Sequence, residues 1–269
     1  MKVLFIGDIF AKTGRRAVQT MLPKIKQEKQ IDFVIANAEN ATHCKGLSAK
    51  NYYDLMSYGV DFFTMGNHTW SKKDIYEILE TKSNIIRPLN IVNYHDFGQH
   101  GCGSREVNIN GTTIRITNLM GASVRFNDLQ TNPFFALQSI IDTKKPTDFH
   151  IVDFHAETTS EKNALFYEFQ GKVSAILGTH THIQTADNRI RNNTAYISDV
   201  GSTGPANGII GGKAEVLIKR FKGEIERFML EEEGGYFQFC AVILDLDEKN
   251  KIVKNIERVL IYEEDLVNK

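Results

Sequence analysis

Eight side chains that can bind a metal ion or move a proton occur at five points of the chain, each directly after a short apolar segment. They are two carboxylates, two amides and four imidazoles: Asp8, Glu39, Asn40, Asn67, His68, His155, His180 and His182. Oxygen and imidazole ligands together suit manganese, iron, cobalt or zinc, whereas calcium prefers oxygen alone. The set has more groups than one tetrahedral ion needs, so it predicts a metal site that can hold two ions.

The types and spacing of these groups indicate how two ions could share them. Ions about 3.5–4 Å apart need a bridging ligand, and a carboxylate can bridge because it has two oxygens. Glu39 is the best candidate for that bridge. His180 and His182 lie two residues apart, so in an extended segment their imidazoles point to the same side. This spacing allows one imidazole for each ion, or both imidazoles on one ion.

Other motifs that could indicate chemistry are incomplete. Residues 7–13 lack the second glycine of a phosphate-binding loop. His155-Ala-Glu157 is the first half of a zinc deaminase signature, but no Pro-Cys-x-x-Cys follows it. There is no Gly-x-Ser-x-Gly segment, which argues against a serine hydrolase. The four other histidines are interpreted as surface or hydrogen-bonded residues: His43, His95, His100 and His150.

The segments that must position the metal-binding candidates alternate between strand and helix patterns. Strands are predicted at 2–7, 32–36, 61–65, 149–154 and 173–177, and helices at 16–28, 48–58, 71–81, 133–144 and 160–170. Such alternation favours an α/β fold with a largely parallel central sheet. The carboxyl ends of parallel strands lie at one edge, where these folds place their ligand sites. The pattern therefore predicts that residues far apart in the sequence meet in one crevice.

The remaining segments are predominantly β. Residues 107–118 predict a hairpin that turns at Asn110-Gly111, since this dipeptide tolerates a type I′ turn. Further strands are predicted at 195–198, 215–219, 239–246 and 252–261, and a long glycine-rich loop at 201–212. These late strands form a second sheet or add antiparallel strands to the first. No linker or repeat interrupts the pattern, so we predict a single domain over residues 1–269.

Composition limits the class of protein. The 269 residues are 42% hydrophobic and 24% charged, which excludes a disordered chain, a collagen and a coiled coil. The formal charge of −1 argues against a nucleic-acid coat protein. The three cysteines are far apart and none forms a Cys-x-x-Cys pair, so a reducing cytoplasm is expected. No apolar segment approaches about 18 residues, so no membrane partner is expected.

The order of the site residues resembles that of the calcineurin-like metallophosphoesterases. Asp8, Glu39-Asn40, Gly66-Asn67-His68, His155 and the segment 178–182 follow the order of that superfamily's sequence blocks. Two departures from that pattern look like the YmdB-like branch. No histidine lies two residues after Asp8, and Glu39 occupies the position where the superfamily usually has aspartate. Members of that branch are bacterial phosphodiesterases active on 2′,3′-cyclic nucleotides. Segments of this chain from residue 7 to residue 205 are similar to that branch.

This resemblance implies a fold and two ligand sets. The implied fold is a four-layer αββα arrangement, in which a two-sheet sandwich is flanked by helices. One ion would be held by Asp8, Glu39, Asn40 and His182, and the other by Glu39, Asn67, His155 and His180. Iron or manganese is favoured for both divalent ions, with zinc or cobalt as alternatives. Homo-oligomers occur in such proteins.

The resemblance also implies a mechanism and leaves alternatives open. A hydroxide between two cations would attack phosphorus in line, and His68 would assist the leaving oxygen. The first alternative is a metal-bound regulatory or RNA-associated protein with residual hydrolysis. The near-zero net charge argues against it, because most affinity for nucleic acid comes from basic side chains that neutralise phosphates. The second alternative is a sister phosphomonoesterase or nucleotidase. The expected substrate is a small phosphodiester such as a cyclic nucleotide.

Overall fold

A computed structural model describes residues 1–91, 100–124, 126 and 131–267 of the chain. His95, interpreted above as a surface or hydrogen-bonded residue, lies outside these ranges. The strands are β1 (Lys2–Ile6), β2 (Asp8–Ile9), β3 (Phe33–Asn37), β4 (Phe62–Thr64), β5 (Ser104–Ile109), β6 (Thr112–Met120), β7 (Phe149–His155), β8 (Ala175–Thr179), β9 (Arg189–Arg191), β10 (Thr194–Ile197), β11 (Ser202–Pro205), β12 (Phe237–Asp247) and β13 (Ile252–Tyr262). The helices are α1 (Ala11–Lys29), α2 (Ala49–Ser57), α3 (Ile75–Thr81), α4 (Pro133–Thr143), α5 (Thr159–Phe169), α6 (Ala214–Phe221) and α7 (Glu263–Val267), with a 3₁₀ turn at Thr69–Ser71.

The strands form two sheets. The first has the order β2-β11-β12-β1-β3-β4, with β13 paired to β12, and the second has the order β5-β6-β7-β8-β10-β9. Strands β1, β3 and β4 are parallel to one another in the first sheet. Strands β6, β7, β8 and β10 are parallel in the second sheet. The expectation of one largely parallel central sheet is therefore wrong, since the parallel strands divide between two sheets.

Apolar side chains on both faces of each sheet explain this division. Along β1, Val3 and Phe5 pack into the core between the sheets, whereas Leu4 and Ile6 pack under α1 and α2. On the second sheet, Phe154 and its neighbours are covered by α4 and α5. Each sheet thus buries one face against the other sheet and the other face against helices. This is the αββα architecture that the resemblance implies, and that prediction is confirmed.

The late segments differ from the sequence expectation at two places. Residues 215–219, predicted as a strand, lie in helix α6. The short apolar run there also fits a helix, and Glu215 and Lys219 form an i,i+4 ion pair of 2.7 Å across one helical turn. The predicted loop at 201–212 contains β11, which pairs with both β2 and β12.

The other late strands and the hairpin agree with the prediction. β12 and β13 form a long antiparallel pair, and β12 is also antiparallel to β1. The hairpin of β5 and β6 turns at Asn110 and Gly111, whose φ angles are +52° and +96°, as a type I′ turn requires. In the described part of the chain, no helix combines the length and apolarity that crossing a membrane would need.

Candidate metal centre

Five strand ends, from both sheets, bring the predicted site residues to one rim of the sandwich. Asp8 follows β1, Glu39 follows β3, Asn67 follows β4, His155 ends β7 and His180 follows β8. The centre of the group is the ring atom Nε2 of His155. It lies 3.1 Å from Glu39 Oε1, 3.0 Å from Asn67 Oδ1 and 3.0 Å from His180 Nδ1. These are the four ligands expected around the second ion, and they meet at one point.

The residues expected around the first ion lie beside this group. The backbone N–H of His180 donates to Asp8 Oδ2 at 2.9 Å, and Asp8 Oδ1 is 3.9 Å from His155 Nδ1. Asn40 and His182 line the same cavity as Glu39 and His180. Among the described residues, Asp8 Oδ1 and Asn40 Oδ1 are buried oxygens without a hydrogen-bond donor. Because buried polar atoms are normally satisfied, two such oxygens at this place fit cation ligands.

Neighbouring side chains fix which nitrogen of His155 faces the centre. Thr179 Oγ1 donates to Asp153 Oδ1 at 2.7 Å, so its oxygen accepts the hydrogen bond from His155 Nδ1 at 2.9 Å. Asp153 is itself held by Asn37, whose Nδ2 donates to Asp153 Oδ2 at 3.0 Å. The chain from Asn37 to Thr179 therefore directs Nε2 of His155 toward the other ligands. Such partners orient metal-binding imidazoles and raise their basicity.

His180 and His182 are oriented in the same way. His180 Nε2 lies 2.9 Å from Glu157 Oε2, which leaves Nδ1 facing His155. His182 Nδ1 lies 3.0 Å from the carbonyl oxygen of Ile210, which leaves Nε2 as the nitrogen available to an ion. Both histidines have positive φ angles, +98° and +67°. Backbone strain of this kind is common at functional sites.

The electrostatics of the group favour a cation. Burial raises the pKa of Asp8 to about 7. Burial alone would raise the pKa of Glu39 and lower that of His155, but their mutual attraction reverses both effects: the pKa of Glu39 falls far below its usual range and that of His155 rises to about 9. Burial and the charge of His155 lower the pKa of His180 to about 3. The carboxylates thus hold a proton on His155 at a position where a divalent ion would compete with it.

Gly66 is required because the central groups crowd its Cα. A Cβ atom built on Gly66 would lie 2.3 Å from Glu39 Oε2 and 2.5 Å from His155 Nε2. Both distances are far below van der Waals contact. The Gly-Asn-His segment therefore needs glycine at its first position to bring Asn67 against the other ligands.

His68 lies at the edge of the group. Its backbone N–H donates to Glu39 Oε2 at 3.0 Å, and its ring Nε2 is 3.4 Å from Asn67 Nδ2. Burial lowers the pKa of His68, which favours the uncharged ring. The ring also lines the cavity above Glu39. It is therefore placed to contact a molecule that binds there.

Sequence reasoning missed the residues that support the ligands. Asp153 lies within the predicted strand 149–154, where a carboxylate inside an apolar segment is the sequence signal, whereas Thr179 lies beyond the predicted strand 173–177 and has no such signal. In the sequence, Glu157 belongs only to the incomplete deaminase motif. Lys162 and Asp199 form a fully buried ion pair of 2.7 Å, and Asp199 also accepts from the backbone and hydroxyl of Thr181. This pair fixes the segment between His180 and His182.

The donor set fits divalent metal ions. Ligand atoms of Glu39, His155 and His180 lie within 4.8 Å of one another. Carboxylate, amide and imidazole donors without thiolate are the ligands of borderline divalent metals. The structure thus brings all eight predicted residues to one rim. The assignment of each residue to an ion remains a prediction.

The chain is similar to known phosphatases and phosphodiesterases. The family described as YmdB-like protein matches residues 4–259. The 2′,3′-cyclic-nucleotide 2′-phosphodiesterase of Bacillus subtilis is 43% identical over 264 residues, which are 97% of each chain. A crystal structure described as a novel phosphatase, from Mycoplasma pneumoniae, superposes with a TM-score of 0.93 at 42% identity and covers 97% of this chain and 93% of that one. A 5′-nucleotidase from Candida albicans shares only the fold, with a TM-score of 0.59 at 13% identity over 96% of this chain and 50% of that one.

Proposed function

The chain belongs to the YmdB-like protein family, and on that premise we propose that it is a metal-dependent phosphodiesterase that hydrolyses 2′,3′-cyclic nucleotides. The observation that carries this proposal is the convergence of Glu39, Asn67 and His180 on the Nε2 atom of His155. Two of these groups, Glu39 and His180, line a cavity of about 440 Å³. A cavity of this size suits a small phosphoester substrate.

Two divalent ions, with iron or manganese favoured, fit the donor set. Asp8, Glu39, Asn40 and His182 would hold one ion, and Glu39 with Asn67, His155 and His180 would hold the other. When bound, the ions would supply an activated water and neutralise charge on the phosphoryl oxygens. The two unpartnered oxygens, Asp8 Oδ1 and Asn40 Oδ1, support the first of these ligand sets.

His68 is proposed as the catalytic residue at the leaving oxygen. From the lining of the cavity, its ring would donate a hydrogen bond or a proton to that oxygen. General acid assistance of this type contributes roughly 10²–10⁴-fold to the rate. Glu39 accepts the backbone N–H of His68, so the same carboxylate positions both the ligand group and this residue.

We also propose that residues 1–269 act as one catalytic domain in the cytoplasm. Support for one domain comes from the core between the sheets, to which Val3 near one end and Leu244 near the other both contribute. We further propose that the protein can form a homo-oligomer and that it has a weak link to RNA, and both can be measured. A regulatory RNA-associated protein is favoured less than an enzyme, because the formal charge is −1.

The test combines metal analysis with a substrate panel on the same protein sample. We expect about two metal equivalents and turnover of 2′,3′-cyclic nucleotides well above that of linear diesters or monoesters. Preferred turnover of monoesters would instead support the phosphomonoesterase alternative. Retention of RNA by a metal-site variant, with negligible diester turnover, would support the regulatory alternative.

Three variants assign the roles of individual residues. Glu39→Ala is expected to lose both metal and activity, whereas His68→Ala is expected to keep metal and lose roughly 10²–10⁴-fold of turnover. His100→Ala is the matched control, because His100 forms its 2.6 Å contact with Glu80 and takes no part in the centre. If Glu39→Ala still bound two equivalents with full activity, the bridging assignment would be wrong.

A further inference from the structure

Part of the cavity at the metal centre is apolar. One part of its lining includes His68 and four of the proposed ligands, Glu39, Asn40, His180 and His182. The other part, called here the apolar wall, consists of Phe10, Ile209, Ile210, Leu217, Phe228 and Leu230. None of these six side chains can form a hydrogen bond. A phosphoester bound at the metal-binding side would therefore have an apolar surface within reach of its remaining atoms.

The tip of the apolar wall has an unfavourable backbone conformation. Ile209 and Gly212 exchange two backbone hydrogen bonds of 2.9 Å, and the residues between them, Ile210 and Gly211, have φ angles of +47° and +90°. This is the geometry of a type I′ turn, whose first central position favours Asn, Asp or Gly. A β-branched residue at positive φ is an outlier. Ile210 is nevertheless present there, with half of its surface exposed.

The same turn is attached to the metal centre. The carbonyl of Ile210 is 3.0 Å from Nδ1 of His182, and Gly211 packs against the ring of Phe10. The N–H of Glu233 donates to the carbonyl of Gly211 at 2.8 Å, which ties the turn to the segment that carries Phe228. The position of the wall relative to the ligands is therefore fixed by hydrogen bonds. Since the backbone contacts need no isoleucine, the strain points to a role for the Ile210 side chain itself.

We propose that the apolar wall binds the nucleobase of the substrate, with Ile210 and Phe228 as specificity-determining residues. This inference rests on the proposed function. Phe228 is 39% exposed and offers an aromatic face on which a base can stack, and every base has such a face. Because the wall has no hydrogen-bonding side chains, it recognises the face of the base and not its edges. The enzyme should thus accept purines and pyrimidines, and bind the larger purines more tightly.

The test compares substrates with and without a base. The probes are adenosine 2′,3′-cyclic phosphate, cytidine 2′,3′-cyclic phosphate and the base-free methyl ribofuranoside 2,3-cyclic phosphate. For Phe228→Ala we expect KM for the adenosine ester to rise roughly tenfold, with kcat and the base-free KM within about twofold of the parent protein. Ile210→Gly should give the same pattern with no loss of thermal stability, because glycine favours the turn.

Phe221→Ala is the matched control, because Phe221 is 80% exposed and lies outside the cavity lining. Equal KM changes for the base-bearing and base-free esters, or no change for either variant, would overturn the inference while leaving the proposed function intact. Failure of the metal-loaded parent protein to hydrolyse any of the three esters would instead overturn the proposed function, and the inference with it.

Discussion

Replacement of Gly66 by alanine tests the geometry of the metal centre with a single methyl group. The new Cβ would lie 2.3 Å from Glu39 Oε2 and 2.5 Å from His155 Nε2. Gly66 has no positive φ angle, so alanine causes no backbone strain and the effect comes from the contacts with the Glu39 and His155 side chains. The substitution therefore acts on the two central ligands and leaves the rest of the fold unchanged.

The magnitude follows from the distances. To restore a contact of about 3.0 Å, the Glu39 oxygen must move by roughly 0.7 Å, whereas metal ligands tolerate about 0.2 Å. A misplacement of about 1 Å in a reacting site can cost about 10²-fold in rate. We therefore expect kcat/KM for a 2′,3′-cyclic nucleotide to fall at least 10²-fold, and metal affinity to fall about 10- to 100-fold.

The assay measures bound metal by plasma emission after reconstitution, kcat/KM on adenosine 2′,3′-cyclic phosphate, and thermal unfolding. Gly234→Ala is the matched control, because a Cβ at Gly234 meets no atom within 4 Å and its φ is also not positive. That variant should keep the metal content and activity of the parent protein. Two metal equivalents and full turnover in Gly66→Ala would refute the convergence of Glu39 and His155 described above.

Three further predictions concern the support of the site. Lys162→Met should lower the free energy of unfolding in urea by about 3–5 kcal/mol, because it leaves the buried Asp199 carboxylate without its ion-pair partner. Lys172→Met removes an exposed ion pair and should lower the free energy of unfolding by less than about 1 kcal/mol. Burial, with a contribution from Arg115, lowers the pKa of His150 to about 3. The free energy of unfolding that depends on the uncharged His150 ring is therefore complete above pH 6.5 and declines by up to about 1.4 kcal/mol per pH unit as the pH falls toward 3. His150→Gln should lose this part of the pH dependence of unfolding. Chelation should abolish hydrolysis and lower the unfolding temperature, and manganese or ferrous iron should restore both, whereas an unchanged chelated enzyme would contradict the metal site.

Metal-binding side chains and local elements could be predicted from the sequence because both depend on neighbouring residues. Asp8, Glu39, Asn67, His155 and His180 each follow an apolar segment, and the carboxyl ends of parallel strands meet at a common edge. Helices and the hairpin also depend on local periodicity and on the Asn-Gly turn. The short segment 215–219 fits either a helix or a strand, and its local pattern alone could not decide between them.

Residue types and spacing thus predict the donor groups of this chain, whereas the packing of the two sheets sets their orientation. Strand pairing joins distant segments, so only the structure shows that β7 and β8 belong to a different sheet from β1 and β3. The partners that orient the imidazoles, Thr179 for His155, Glu157 for His180 and the Ile210 carbonyl for His182, are equally invisible to spacing. A hydrogen bond across many residues depends on positions in space, and those positions exist only once both sheets have packed together.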